Sequence, residues 1–159
     1  MSQTLIRKQR SGAGRNSANG RAARATSGES LGLSVVHNHD LIQKVQKGLL
    51  FNALESLARK SGIPATELSN IMAIPERTFA RRKSTGRFTP EESERLLRIA
   101  RIFEQAVELF NGEIPEAVRW LQTPRKALGS HSPLEYSATE LGAREVENLI
   151  GQLVHGVFP

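Results

Sequence analysis

Apolar residues recur at steps of three and four from about residue 40 onward, which places them on one side of an α-helix. Strand-like alternation of useful length does not occur in the sequence. In the first two segments the apolar face consists of Leu41, Val45 and Leu49, then Leu50, Leu54, Leu57 and Ala58 before Gly62. The pattern predicts an all-α fold of seven or eight helices with short connections.

The longest element is predicted between Thr89 and Gly112. Thr89 can cap this helix, Pro90 suits its first turn, and Glu92 completes a capping box. Apolar residues then recur until the Asn111-Gly112 stop, namely Leu96, Ala100, Phe103, Val107 and Phe110. A helix of this length spans about 30 Å at about 1.5 Å per residue, so we expect it to be the backbone of the fold.

Shorter helices are predicted in the C-terminal third. One begins at Pro115, and the pairs Thr123-Pro124 and Ser132-Pro133 each resemble a cap followed by a first-turn proline, with Glu135 positioned for a capping box at the second pair. The last helix is predicted from near Thr139 to Gly156, with an apolar face of Val146, Leu149, Ile150, Leu153 and Val154. The chain is thus divided into a flexible basic arm (1–36), a region with the long helix (37–110) and a C-terminal region (111–159).

Two short helices, Pro64–Met72 and Pro75–Arg82, are separated by a tight turn and predict a helix-turn-helix. Leu68, Ile71, Ile74 and Phe79 would hold them at their crossing angle, and a loop from Lys83 to Phe88 would follow. The second helix is basic on its expected outer face. We assign base reading to Arg77, Thr78 and Arg81, and phosphate contacts to Arg82, Lys83 and Arg87. The alternative is a solvated basic helix with no role in DNA binding.

Composition agrees with a polyanion partner, because the 159 residues carry a formal net charge of +6 and a sequence pI near 10.3. The arm carries six basic residues before its first acidic residue, Glu29, and three interpretations remain open for it: phosphate attraction, an organelle transit peptide, or an extension without function. The sequence has no cysteine and no apolar run that could cross a bilayer. We therefore expect a cytoplasmic protein.

Enzyme chemistry is not predicted. Gly12-Ala13-Gly14 lacks the strand-to-helix context of a phosphate loop, and the pair His37 and His39 lacks a supporting carboxylate pattern for a metal. Glu91 and Glu92 are explained by helix capping. We expect no catalytic residue, metal or cofactor.

From about Leu49 onward the sequence resembles the Xre/MbcA/ParS-type antitoxins that partner RES-domain toxins. The resemblance depends on the helix-turn-helix, on Phe88-Thr89-Pro90, and on an ordered C-terminal signature: Ala117-Val118-Arg119-Trp120-Leu121, Thr123-Pro124, Ala127-Leu128-Gly129, Ser132-Pro133-Leu134, Thr139-Glu140, Gly142-Ala143-Arg144-Glu145-Val146, Leu149-Ile150-Gly151 and His155-Gly156-Val157-Phe158. Two departures occur: Arg125-Lys126 replaces the usual Asn-Pro, and Ser130 replaces a second glycine. The resemblance implies a RES toxin that depletes NAD, an antitoxin C-terminus that blocks the toxin's active site, and repression of the antitoxin's own promoter.

The C-terminal residues that we assign to toxin binding are Leu149, Gly151, Gln152, Leu153, His155, Gly156, Val157 and Phe158. Gly142 and Gly151 are costly inside a helix and indicate close approach, either by the toxin or by this chain's own helices. Trp120 is interpreted as a core anchor. The alternative function is a stand-alone transcriptional regulator whose C-terminal region mediates dimerisation, and in either case we expect a homodimer or a larger assembly with toxin.

Overall fold

The computed structural model describes residues 28–34 and 37–156, which form eight α-helices joined by turns and two 3₁₀ helices. The prediction of an all-helical fold is confirmed. The α-helices are α1 (Asn38–Lys47), α2 (Phe51–Ser61), α3 (Ala65–Ile71), α4 (Glu76–Thr85), α5 (Pro90–Leu109), α6 (Ile114–Gln122), α7 (Pro133–Tyr136) and α8 (Glu140–Val154). The 3₁₀ helices are Glu29–Leu31 and Lys126–Leu128.

Helix α5 is the centre of the fold. Its residues Leu96, Ile99 and Ile102 are almost completely buried, and the helix packs against α1, α2, α6 and α8. Leu54 of α2 and Val146 of α8 belong to the same continuous apolar cluster. The part of the chain with the helix-turn-helix and the C-terminal part therefore share one core, with α5 between them.

Both capping boxes expected from the sequence are present. Thr89 Oγ1 accepts from Glu92 N at 3.2 Å at the start of α5, and Ser132 Oγ accepts from Glu135 N at 3.2 Å at the start of α7. In each box the glutamate carboxylate accepts the backbone N–H of the capping residue. Two N–H groups that a helix start leaves unpaired are thus satisfied together.

The predicted helix start at Thr123-Pro124 is wrong. Thr123 ends α6, and its hydroxyl donates backwards to the carbonyl of Arg119 at 2.6 Å. The residue before a proline favours extended backbone, which Thr123 adopts, and the following 3₁₀ helix is capped by Arg125 instead. The predicted loop from Lys83 is also too early, because α4 continues to Thr85 and ends at Gly86 with a positive φ of 77°.

The predicted flexible arm extends too far along the chain. Residues 28–34 lie against the core: Leu31 is buried, and the Glu104 carboxylate on α5 accepts bonds from Ser30 N at 2.7 Å and Ser30 Oγ at 2.6 Å. The same carboxylate accepts from Gly28 N. Local composition did not reveal this docking, because its partner is more than 70 positions away. Residues 1–27 and 35–36 lie outside the described residues.

Candidate functional site

Helices α3 and α4 form the predicted helix-turn-helix. The turn between them passes through Ala73 with φ 53°, and Leu68 and Ile74 are buried beneath it. Helix α4 has no fully buried residue, and Phe79 attaches it to α2 through a ring contact with Phe51 at 5.4 Å between centroids. The second helix of the motif therefore lies on the surface and is held along one side only.

The outer face of α4 presents the residues assigned to base reading. Arg77 and Arg81 are exposed, and Thr78 is half-buried. Lys83 is exposed further along the same helix. Within residues 28–34 and 37–156 no ion pair engages Arg77, Arg81 or Lys83. These side chains are available to a partner.

Arg82 has an internal partner. Its Nε and Nη2 donate to the two carboxylate oxygens of Glu92 at 2.7 and 3.1 Å, and both side chains are largely buried. Burial alone would raise the pKa of Glu92, but the bonds from Arg82 and from Thr89 N, with the positive charges of Arg82 and Arg81, hold it below its ordinary value. The phosphate contact predicted for Arg82 is therefore not favoured, because this ion pair fixes α4 to the start of α5.

Arg87 lies in the turn after α4 and is exposed. Its Nη1 donates to the backbone carbonyls of Lys47, the last residue of α1, and Gly48, which follows it. An antiparallel bridge joins Arg87 to Leu50, and Phe51 N donates to Gly86 O at 2.8 Å. The turn after α4 is thus attached to the connection between α1 and α2.

The C-terminal residues assigned to toxin binding divide into inward and outward groups on α8. Leu149 is only 9% exposed and packs in the core, so the structure contradicts an outward contact for it. Leu153 and Gly151 are half-buried. Gln152, His155 and Gly156 are exposed. Val157 and Phe158 lie outside the described residues.

Two apolar residues of α8, Val154 and Leu141, are exposed. The sequence prediction placed Val154 on the wrong face and did not identify Leu141. Val154, expected on the buried face, is 58% exposed, and Leu141 is 77% exposed. The signal for Leu141 was its position off the apolar stripe of the helix, since Ala143 and Val146 define that stripe. Both ends of α8 therefore present apolar surface.

The two glycines of α8 have different surroundings. A Cβ at Gly142 would lie 1.8 Å from the carbonyl oxygen of Tyr136, so this glycine is required by close packing within the chain. A Cβ at Gly151 would meet no atom within 4 Å. Of the two interpretations open for each glycine, packing against this chain holds for Gly142, while Gly151 leaves open space beside the helix.

Trp120 is a core residue, as expected, with 7% exposure and a ring contact to Phe110 at 6.5 Å between centroids. Arg125 covers the indole with its guanidinium carbon 5.4 Å from the ring centroid. Ser130, the other departure noted in the sequence, has φ 66°. That backbone conformation explains a preference for glycine at this position.

In the described segments, no helix is long and apolar enough to cross a membrane, and no group of three or more histidine and carboxylate side chains lies together as a metal site.

The family model described as the antitoxin Xre-like helix-turn-helix domain matches residues 40–101, and that of the antitoxin Xre/MbcA/ParS C-terminal toxin-binding domain matches residues 105–156. A relative from Yersinia enterocolitica named Antitoxin Xre is 41% identical over 129 residues, which cover 80% of this chain and 87% of the relative. Relatives with the same name from Photorhabdus laumondii and Pseudomonas putida are 35% and 30% identical; each match covers 71% of this chain, and 77% and 70% of those proteins respectively.

Proposed function

The chain belongs to the Xre antitoxin family, and from this premise we propose that it is the antitoxin of a type II toxin–antitoxin pair. Its C-terminal region binds a RES-domain toxin that depletes NAD and blocks the toxin's active site. Its helix-turn-helix binds operator DNA, as a homodimer or in a larger assembly with toxin, and represses the operon. Separate surfaces on α4 and at the end of α8 support these two activities.

The observation that carries the DNA-binding part is the contrast between neighbouring arginines on α4. Arg82 is held by Glu92, whereas Arg77 and Arg81, one turn apart, are exposed and have no ion-pair partner among the residues described. A recognition helix enters the major groove with its N-terminal residues facing base edges, where arginine can donate two bonds to guanine. Arg77 and Thr78 are in the first turn of α4, and Arg81 follows them along the groove. Lys83 and Arg87 contact phosphates beyond it.

Replacement of both exposed arginines, Arg77→Ala with Arg81→Ala, tests this role. Each good contact to a base is worth about 1–3 kcal/mol, so we expect operator affinity to fall at least tenfold and the preference over an unrelated duplex to disappear. Arg144→Ala, an exposed arginine on α8, is the matched control and should bind the operator like the native chain. An unchanged preference in the double variant would refute base reading by α4.

The C-terminal part of the proposal is supported by exposed side chains and open space at the end of α8. Gln152, His155 and Val154 are exposed, and the helix surface beside Gly151 is unobstructed. A glycine that no intramolecular contact requires is a position where a partner backbone can approach closely. The proposed toxin-binding surface consists of Gly151, Gln152, Leu153, Val154, His155 and Gly156, together with Val157 and Phe158.

Truncation after Val154 tests this surface, because it leaves every residue of α8 in place. We expect the truncated chain to lose neutralisation of the co-expressed toxin, measured as NAD content and growth of the host, while operator binding is retained. The Arg77 and Arg81 double variant should behave in the opposite way. Full neutralisation by the truncated chain would refute a role in toxin binding for the residues after Val154, and equal loss of both activities in either variant would indicate misfolding. A stand-alone regulator would show no toxin-dependent phenotype at all.

A further inference from the structure

A cationic cleft lies beside the C-terminal end of α4, and Arg87 is the one residue of its lining that has a role in the activities proposed above. It contains about 290 Å³ of open space and is lined by Lys44 and Lys47 of α1, by Arg87, and by Leu50 and Asn52 at the start of α2. A single water molecule needs only about 30 Å³, so the cleft can admit a larger group. Three of its side chains are positively charged.

Backbone contacts fix the shape of the cleft. Phe88 N donates to Leu49 O at 2.9 Å, which closes the turn after α4 against the connection between α1 and α2. Gly48 has φ 83°, and a Cβ there would lie 2.2 Å from the Phe88 carbonyl oxygen, so only glycine permits this approach. Arg87 is held by bonds from Nη1 to backbone carbonyls. A guanidinium has five N–H donors, so the donors of Arg87 that do not bond these carbonyls can serve a ligand.

The charges in the cleft are unbalanced. Neither aspartate nor glutamate lines it, and across residues 28–34 and 37–156 no ion pair engages Lys44, Lys47 or Arg87. On α5, by contrast, Arg98 and Arg101 are paired with carboxylates of α8. An anion in the cleft would reduce the repulsion between the three cations and accept charge-assisted hydrogen bonds from them.

We propose that this cleft binds a backbone phosphate of duplex DNA flanking the half-site contacted by α4. The inference rests on the proposed function, since it requires α4 to enter a duplex. Arg87 is two residues past the end of α4, so the cleft adjoins the end of the helix that enters the groove in the proposed function. A phosphate held there fixes the position of the helix on the duplex and carries no sequence information.

The test is a paired substitution, Lys44→Gln with Lys47→Gln, in the full chain. Affinity for the operator and for an unrelated duplex of equal length is measured from about 50 to 200 mM salt. Each lost phosphate contact lowers the slope of log affinity against log salt by about 0.9, so we expect a decrease of about 1 on both duplexes with an unchanged ratio between them. Affinity itself should fall several-fold. Lys44→Arg with Lys47→Arg keeps the charge and should retain the native slope.

Lys126→Gln, which removes an exposed cation outside the cleft, is the matched control and should leave the slope unchanged. Lys44 and Lys47 also stand in the last turn of α1, where cations stabilise a helix, so thermal unfolding is measured in parallel. A native slope in the Gln pair overturns the proposal, and so does a reduced operator preference, because a phosphate contact carries no sequence information. If the Arg77 and Arg81 variant loses operator preference while the Gln pair keeps the native slope, only the cleft is refuted. If the native chain binds neither duplex, both the cleft and the proposed DNA-binding function are refuted.

Discussion

Alanine substitutions at the two glycines of α8 should change stability in opposite directions. In an open helix, replacing glycine by alanine gains up to about 1 kcal/mol, because alanine loses less backbone freedom on folding. Gly151 meets this condition, since its Cβ would contact nothing within 4 Å. We expect Gly151→Ala to raise the midpoint of thermal unfolding by about 2–4 °C, the shift typical of 1 kcal/mol in a chain of this size.

At Gly142 the same gain is opposed by a severe clash. The new Cβ would lie 1.8 Å from the Tyr136 carbonyl oxygen and 2.9 Å from its carbonyl carbon, and these are backbone atoms that cannot rotate away. The connection between α7 and α8 must then move by more than 1 Å, which also disturbs the capping bond from Gly142 N to Thr139 Oγ1. Overpacking of this kind costs about 1–3 kcal/mol or more, so the net effect is a loss of about 2 kcal/mol and a midpoint lower by about 4–8 °C.

Thermal unfolding of the two variants, followed by circular dichroism at equal protein concentration, measures both shifts. Neutralisation assays complete the comparison: if a toxin backbone approaches Gly151, Gly151→Ala should be more stable than the native chain and yet neutralise the toxin less well. Equal midpoints for the two variants would refute the assignment of Gly142 to close packing within the chain. A stabilised Gly151→Ala variant with full neutralisation would show that the toxin does not use the open space beside that residue.

Three further predictions follow from particular contacts. Ala73→Gly should raise the free energy of unfolding by up to about 1 kcal/mol, because an exposed alanine with φ 53° carries a steric cost that exceeds the added freedom of glycine in the unfolded chain; a lower midpoint in thermal unfolding would contradict this. Glu92→Gln should lower the free energy of unfolding by about 1–3 kcal/mol at pH 7. Since the folded-state pKa of Glu92 is lowered, the native chain loses this advantage as the pH falls below about 4.5, and urea unfolding at pH 7 and pH 3 should show the difference shrinking. Removal of residues 1–27 eliminates six basic residues and leaves 16 basic against 16 acidic ones, so the salt dependence of binding to any duplex should weaken while operator preference is kept; an unchanged salt slope would favour an arm without function in DNA binding.

Elements with local signals were predictable from the sequence. Helix α5 was recognised from Thr89 through its capping box and its apolar repeat, and both features depend on residues within one turn of each other. The helix-turn-helix was recognised in the same way, from two short helices, a tight turn and a basic outer face. The exposure of Arg77 and Arg81 agrees with that prediction.

Errors arose where a distant residue decides the local structure. Arg82 looked like any other arginine of α4, but Glu92, ten positions away on another helix, holds it. Ser30 looked like part of a polar arm, but the Glu104 carboxylate on α5 accepts hydrogen bonds from its backbone N–H and its hydroxyl. Val154 was placed on the apolar stripe because the stripe was extended to the last turn of α8, where the core no longer reaches. Periodicity reports which face a residue occupies and contains no information on where the neighbouring surface ends.

Helix α5 connects the two proposed surfaces. Glu92 at its start holds α4 through Arg82, and Arg98 and Arg101 further along bind Glu140 and Glu147 of α8 at 3.0 and 2.9 Å. Partly exposed ion pairs contribute at most about 1 kcal/mol each, so those to α8 set the register of that helix more than they stabilise the fold. Changes on α5 should therefore disturb DNA binding and toxin binding together, whereas changes on the outer faces of α4 and α8 should separate them, because those faces share no side-chain partner among the described residues.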